Sequence, residues 1–155
     1  MRAVLTRVRS ASVAIDGQTV GQIGKGVLIL LGVGPEDTPE DCRFLAAKAL
    51  GLRIFEDENG KMNLDLSQVG GQVLVVSQFT LYGNCRKGRR PSFTDAAPPE
   101  LGNRLYEQFL AACEALGFPP QHGQFGADMQ VASVNDGPVT LILDTKQLLE
   151  EPRRK

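Results

Sequence analysis

The sequence predicts an α+β fold in a single domain, with two main helices packed on a mostly antiparallel sheet or partly closed β-barrel. Three features lead there. The runs Val27–Val33 and Val73–Val76 have no polar face, so each reads as a central strand covered on both sides. Hairpin signals stand at Asp16-Gly17 and Asn59-Gly60, between shorter strand-like segments. Two stretches carry helical periodicity, spread among about seven strand-like segments.

At 155 residues, a chain is long enough to bury roughly 68–70% of its unfolded surface without metals or disulfides. The domain is expected to span 1–145, followed by a charged tail, 146–155, that is frayed. A hydrophobic share of 42% and a charged share of 23% suit a soluble globular protein. The longest apolar run, Val27–Leu31, is too short to cross a bilayer, and Arg2, Arg7 and Arg9 interrupt any leader-like core. A cytoplasmic protein without a membrane partner is expected. Cys42, Cys85 and Cys113 are odd in number and lack CxxC spacing, which suggests neither a disulfide framework nor a zinc site.

Taken in order, the chain opens with a long strand. Ala11, Val13 and Ile15 alternate, whereas Val4–Ser10 follows a different parity, which predicts a bulge or bend near Ser10. Asp16-Gly17 turns the chain back through Gln18–Ile23, and Gly24–Gly26 leads into the strand Val27–Val33. Thr38 is a fitting N-cap and Pro39 a fitting first helical residue; Cys42, Leu45, Ala46, Ala49 and Leu50 then mark one buried face up to Gly51. Arg53–Phe55 reads as a short strand and 62–72 mostly as loop. The strand beginning at Val73 is expected to run to Leu81. A second helix starts near Pro98 or Pro99 and ends by Leu116, with Leu101, Leu105, Phe109, Cys113 and Leu116 facing the core. Gln124–Asp144 reads as two strands around Asn135–Pro138.

Chemistry tends to gather where a buried strand stops. Ser77, Gln78 and Thr80 put two hydroxyls and an amide there, with Phe79 between them. Asn135–Thr140 (NDGPVT) sets a rigid, side-chain-poor Gly-Pro pair into a strand-like region, and the two stretches are expected to face one ligand. Between them, Arg86, Lys87, Arg89 and Arg90 form a dense basic cluster in a chain of net charge −1. A solvated loop is one reading; a binding site for a phosphorylated ligand is the other. The net charge itself argues against a domain that coats long stretches of nucleic acid. The single histidine, His122, lies in a Pro-Pro-Gln-His-Gly loop, and HExxH, GxxxxGK[ST] and GxSxG are all missing. That inventory suits an electrophile already activated, where positioning and oxyanion stabilisation carry the reaction.

SQFTL (Ser77–Leu81) followed by NDGPVT (Asn135–Thr140) resembles the D-aminoacyl-tRNA deacylase family, the D-tyrosyl-tRNA(Tyr) deacylases. The likeness extends through RSASV (Arg9–Val13), IFEDENGKMN (Ile54–Asn63), RRPSF (Arg89–Phe93) and ADMQV (Ala127–Val131), and so covers Met1 to about Asp144. It implies a carboxylic-ester hydrolase that edits tRNA by cleaving a D-amino acid, or glycine, from its 3′ end and spares the L ester. It also implies a homodimer, with a cis Gly137–Pro138 of one subunit inserted as a chiral filter near Ser77, Gln78, Phe79 and Thr80 of the other. By the same resemblance, Phe125 and Met129 lie near the terminal adenosine and the pocket wall, Arg86, Lys87, Arg89 and Arg90 contact tRNA, and neither cofactor nor metal takes part. No DNA partner is expected.

Two mechanisms stay open at this stage. Thr80 would be a poorly activated nucleophile without a base; the resemblance favours water attack assisted by the ribose 2′-OH, with N–H groups near Phe79 and Thr80 on the oxyanion. The runner-up function is a non-catalytic nucleic-acid-binding dimer using Arg86–Arg90. A general esterase ranks third, because it would need a triad that the sequence lacks.

Overall fold

The computed structural model describes residues 1–150; of the expected tail, 151–155 lie outside the described residues. Its strands are β1 (Arg2–Ile15), β2 (Gln18–Ile23), β3 (Gly26–Gly32), β4 (Phe55–Glu56), β5 (Met62–Leu64), β6 (Gln72–Ser77), β7 (Gln121–His122) and β8 (Gln130–Asp144). The helices are α1 (Pro39–Leu50), α2 (Pro99–Ala115) and α3 (Thr145–Leu149), and Phe79–Tyr82 forms a 3₁₀ turn. The α+β reading holds, and the sheet is mixed: β1 pairs antiparallel with β2, β3 and β8, while β3–β6 and β6–β7 are parallel.

β1 organises the barrel because it is long and bent. Its first half pairs with β3 and its second half with β2, and its register against β8 shifts between Thr6 and Val8 and again between Val8 and Ser10. The predicted irregularity near Ser10 is therefore present. The hairpin to β2 turns on Asp16 and Gly17, both at positive φ, as a tight two-residue turn requires. The bend brings β2 round to β7, so that the sheet nearly closes. At Gly21 a Cβ would sit 3.0 Å from the His122 carbonyl oxygen, and the approach depends on glycine.

Closure divides the apolar residues between two cores. Val27, Ile29, Leu31, Val73 and Val75 point outward to α1 and α2, whereas Leu28, Leu74 and Val76 point inward with Val8, Val13 and Ile23. The central runs are thus covered on both faces, as their composition requires. On α1 the buried residues are the five expected, Cys42, Leu45, Ala46, Ala49 and Leu50. On α2 the expected face is corrected: Tyr106 is buried, while Leu116 caps the helix and is 47% exposed, beyond the last turn that packs on the sheet.

Residues 62–72 are mostly loop, as expected, apart from Met62–Leu64, which the Asn59-Gly60 turn folds back on Phe55–Glu56 as a short strand. Two further expectations change. Gln130–Asp144 is one strand, not two: opposite the Thr6/Val8 shift, 136–139 are released from pairing without breaking β8. Finally, Thr145–Leu149 forms a short helix where the tail was expected to begin, with the Asp144 side chain accepting from the Lys146 N–H at its start.

Candidate active site at the end of β6

β6 ends at Ser77, four residues earlier than the sequence suggests. Its partner β3 ends at Gly32, and beyond the Leu31–Ser77 pair there is no ladder to continue. The Gln78 N–H makes a last bond to the Leu31 carbonyl at 2.7 Å, and the chain then curls into the Phe79–Tyr82 turn. Ser77 and Gln78 stay half-buried, while Phe79 (55% exposed) and Thr80 reach solvent. The Gln78 amide nitrogen donates to the Thr80 hydroxyl. As the first two residues of the turn, Phe79 and Thr80 have N–H groups with no acceptor inside it, a ready pair of donors for an anionic oxygen.

Arg2 clamps this turn from below. Its guanidinium donates to the Leu81 carbonyl at 3.2 Å, lies 4.5 Å over the Tyr82 ring and pairs with Asp144 at 2.9 Å. Burial, with Asp37 and Asp144 nearby, holds the Tyr82 hydroxyl well above the usual tyrosine range, so the ring stays neutral. Phe79 packs edge-on against Phe93, with centroids 5.4 Å apart. Asn84 and Ser92 close the intervening loop through reciprocal backbone bonds of 2.7 and 2.9 Å. Arg86, Lys87, Arg89 and Arg90 are all exposed on that loop, so the basic cluster hangs beside the end of β6.

The chain reaches the same end of the sheet again after β7. Val75 pairs with His122, and the Gly123 N–H donates to the Val75 carbonyl at 3.3 Å. Phe125 follows, its ring tilted against Tyr106 at 6.0 Å and lining a cavity of about 490 Å³ with His122 and Glu107. The buried Tyr106 hydroxyl donates to the Val75 carbonyl at 3.2 Å, and burial pushes it up to about 12. Met129 packs against the inner core rather than into this cavity. His122 is exposed, with Nδ1 2.6 Å from the Gly123 carbonyl oxygen.

Gly137–Pro138 lies elsewhere in the subunit. Its peptide bond is cis, and both residues are exposed on β8, opposite the register break in β1. Ser77 is level with Leu31, Ala3 and Leu143, so the Gly-Pro pair is displaced four residues along β1 and three strands across, on the order of 20 Å. One chain does not bring the two stretches together. What holds the Gly-Pro segment is a polar scaffold: the Asn135 carboxamide accepts the Val139 N–H at 3.0 Å and donates to the Thr140 hydroxyl at 3.1 Å. Arg7 completes it, donating to the Asp136 carbonyl at 2.9 Å and to the Ile54 carbonyl at 2.6 Å.

The profile of the D-Tyr-tRNA(Tyr) deacylase family matches residues 4–144. The chain belongs to that family. A D-aminoacyl-tRNA deacylase of Desulfatibacillum aliphaticivorans is 62% identical over 94% of this chain and 100% of that protein. One of Thermosipho africanus is 57% identical over 96% and 99%. Among solved structures, a c-Myc DNA unwinding element binding protein is 41% identical with a TM-score of 0.87, covering 93% of this chain and 98% of its own. A probable eukaryotic D-amino acid tRNA deacylase shares the fold at 18% identity, with a TM-score of 0.79 over 92% and 97%. The protein is therefore a hydrolase of the deacylase family.

Within this deacylase, sequence reasoning missed Arg7 and Arg2. Arg7 is 4% exposed yet charged, and it shares the helix-facing parity of the buried Ala3 and Leu5 on β1. A cation at a core parity was the available signal. Arg2 gave none, because its partners Leu81, Tyr82 and Asp144 are remote in sequence.

Proposed function

We propose that the protein is a D-aminoacyl-tRNA deacylase in which two subunits build each active site. The ester of a D-amino acid, or of glycine, at the tRNA 3′ end lies over Ser77–Thr80 of one subunit. Gly137–Pro138 of the other faces it, so that backbone carbonyls meet the substrate ammonium and leave no space for an L side chain. The observation that carries this reading is the separation of the two stretches: each reaches the surface and is held in place, yet one chain keeps them on the order of 20 Å apart. A second copy supplies the missing half. β8 favours such pairing, since among the described residues it has β1 on one side only and carries exposed Val131, Val134 and Ile142.

A backbone filter suits chirality. D and L esters differ only in where the side chain points, and a thousandfold preference needs a clash worth about 4 kcal/mol. The polar scaffold of Asn135 and Arg7 gives the Gly-Pro segment the rigidity to supply it. Attack falls to water assisted by the ribose 2′-OH, with the Phe79 and Thr80 N–H groups receiving the oxyanion. Thr80 donates no nucleophile here, because its hydroxyl is paired with the Gln78 amide rather than with a base. Phe125 and Met129 border the terminal adenosine, and Arg86, Lys87, Arg89 and Arg90 meet backbone phosphates. The cytoplasm, where aminoacyl-tRNA is used, is the place of action.

The test is a deacylation time course on one tRNA charged separately with D-tyrosine, L-tyrosine and glycine. Loss of the D and glycyl esters with survival of the L ester is expected. Survival of all three while tRNA still binds would overturn the enzymatic reading. It would favour a non-catalytic nucleic-acid-binding dimer, the reading to which the name of the 41%-identical DNA-element-binding neighbour points.

A further inference from the structure

On the outer flank of Gly137 lies a polar cleft of about 290 Å³ that the chemistry above does not use. Arg7, Arg9 and Lys25 line it, opposed by Glu56 and Asp136, so cations outnumber carboxylates in a chain whose net charge is −1. The acids do not neutralise it. The Asp136 carboxylate is divided between Arg7 at 3.7 Å and Arg9 at 3.6 Å, and the Arg9 side chain is 78% exposed. Lys25 is exposed, lies 5.7 Å over the Phe55 ring and, among the described residues, has no carboxylate within 4.0 Å. Arg7 is committed to carbonyls, so Arg9 and Lys25 are the two cations available to a ligand.

We propose that Arg9 and Lys25 bind backbone phosphates of the single-stranded tRNA 3′ end, so that the subunit presenting Gly137–Pro138 also grips the strand that carries the ester. The proposal rests on the two-subunit site described above. An aminoacyl ester bears one cation, its ammonium, and negative charge only on the phosphates, and a cleft with excess positive charge selects the phosphates. Any strand whose 3′ end is covered by Gly137 has to leave past the residues that flank Gly137. The four cations at Arg86–Arg90 then serve the same tRNA from the subunit that holds Ser77–Thr80, and the strand runs between two basic walls.

The experiment compares two substrates, D-tyrosyl-tRNA and 3′-O-D-tyrosyl-adenosine, which has the ester and the 2′-OH but no phosphate. In the full-length R9Q/K25Q variant, kcat/KM on the tRNA is expected to fall about tenfold. The slope of log kcat/KM against log salt is expected to flatten by about 0.7 for each phosphate that the variant no longer neutralises. The adenosine ester gains nothing from either cation, so its rate does not follow. R9K/K25R, which keeps both charges, restores the rate and the slope on tRNA. Equal losses on both substrates would overturn the proposal by showing that the cleft shapes the Gly137 backbone instead. An unchanged tRNA rate, an unchanged salt slope or failure of R9K/K25R to rescue would overturn it as well. If wild-type protein cleaves neither ester, the deacylase reading itself fails, and the phosphate role falls with it; if wild type cleaves both and only the variant comparison fails, that reading stands.

Discussion

The end of β6 and the middle of β8 fix a backbone in two different ways. In β6, Val73 and Val75 are buried against the helices and Leu74 and Val76 in the barrel, so the strand reaches Ser77 with no freedom left. In β8, Val131–Asn135 are exposed, and 136–139 have no ladder partner; position comes from the Asn135 carboxamide and the Arg7 guanidinium. The first device is insensitive to any one polar atom, and the second to any one methyl group. A site that joins them combines a rigid floor with a removable wall.

The sharpest way to break the contrast is to open the floor. Leu74→Ala deletes a fully buried side chain from the inner core and is expected to cost about 2–5 kcal/mol, on the order of 10 °C in Tm, without changing the D-to-L ratio of the protein that stays folded. Thermal melting and the ratio of kcat/KM for the two esters check both halves. Arg7→Met comes next. It keeps the aliphatic stem but strips donors from the Ile54 and Asp136 carbonyls, at about 1–3 kcal/mol for each group left unpaired. Unlike the Leu74 change, it is expected to raise hydrolysis of the L ester; an unchanged ratio would show that Gly137 needs no support from Arg7.

Asn135→Ala isolates the wall more gently. The Val139 N–H loses its acceptor, about 1 kcal/mol by ordinary hydrogen-bond values, so Tm moves little while the D-to-L ratio narrows. If stability fell and selectivity held, the scaffold would be structural only.

The same contrast explains what the sequence revealed. The α1 face and the two central strands were legible because burial repeats with a period, and Cys42, Leu45, Ala46, Ala49 and Leu50 display that period. The stop at Ser77 was not, since it is dictated by where β3 ends and not by SQFTL itself. β8 read as two strands because Pro138 cannot join a ladder; the register shift opposite it in β1, which removes the need, lies over a hundred residues away in sequence. The candidate site residues at 77–80 and 137–138 were picked out by motif, whereas Arg7 was overlooked because its bonds to Ile54 and Asp136 are long-range and polar. The trace such a polar scaffold leaves is slight: for Arg7, a single cation at the parity of Ala3 and Leu5.

The smallest expected effect concerns Thr80, and it decides what the floor contributes. Its hydroxyl is exposed and bonded to the Gln78 amide, which neither accepts a proton nor polarises the O–H as a base would. The neighbouring N–H groups of Phe79 and Thr80 survive any side-chain change at this position. Thr80→Ala is therefore expected to lower kcat on D-tyrosyl-tRNA by less than about tenfold, the scale of lost positioning rather than of a lost nucleophile. A tRNA ending in 2′-deoxyadenosine, charged at its 3′-OH, is expected to resist wild type and variant alike. Rapid quenching followed by mass spectrometry gives the opposing outcome: an acyl group trapped on Thr80 would make the side chain the nucleophile and reduce the 2′-OH to a binding contact. With no such adduct, the contribution of the β6 end is geometric, two backbone N–H groups held still by the cores on either side of the strand.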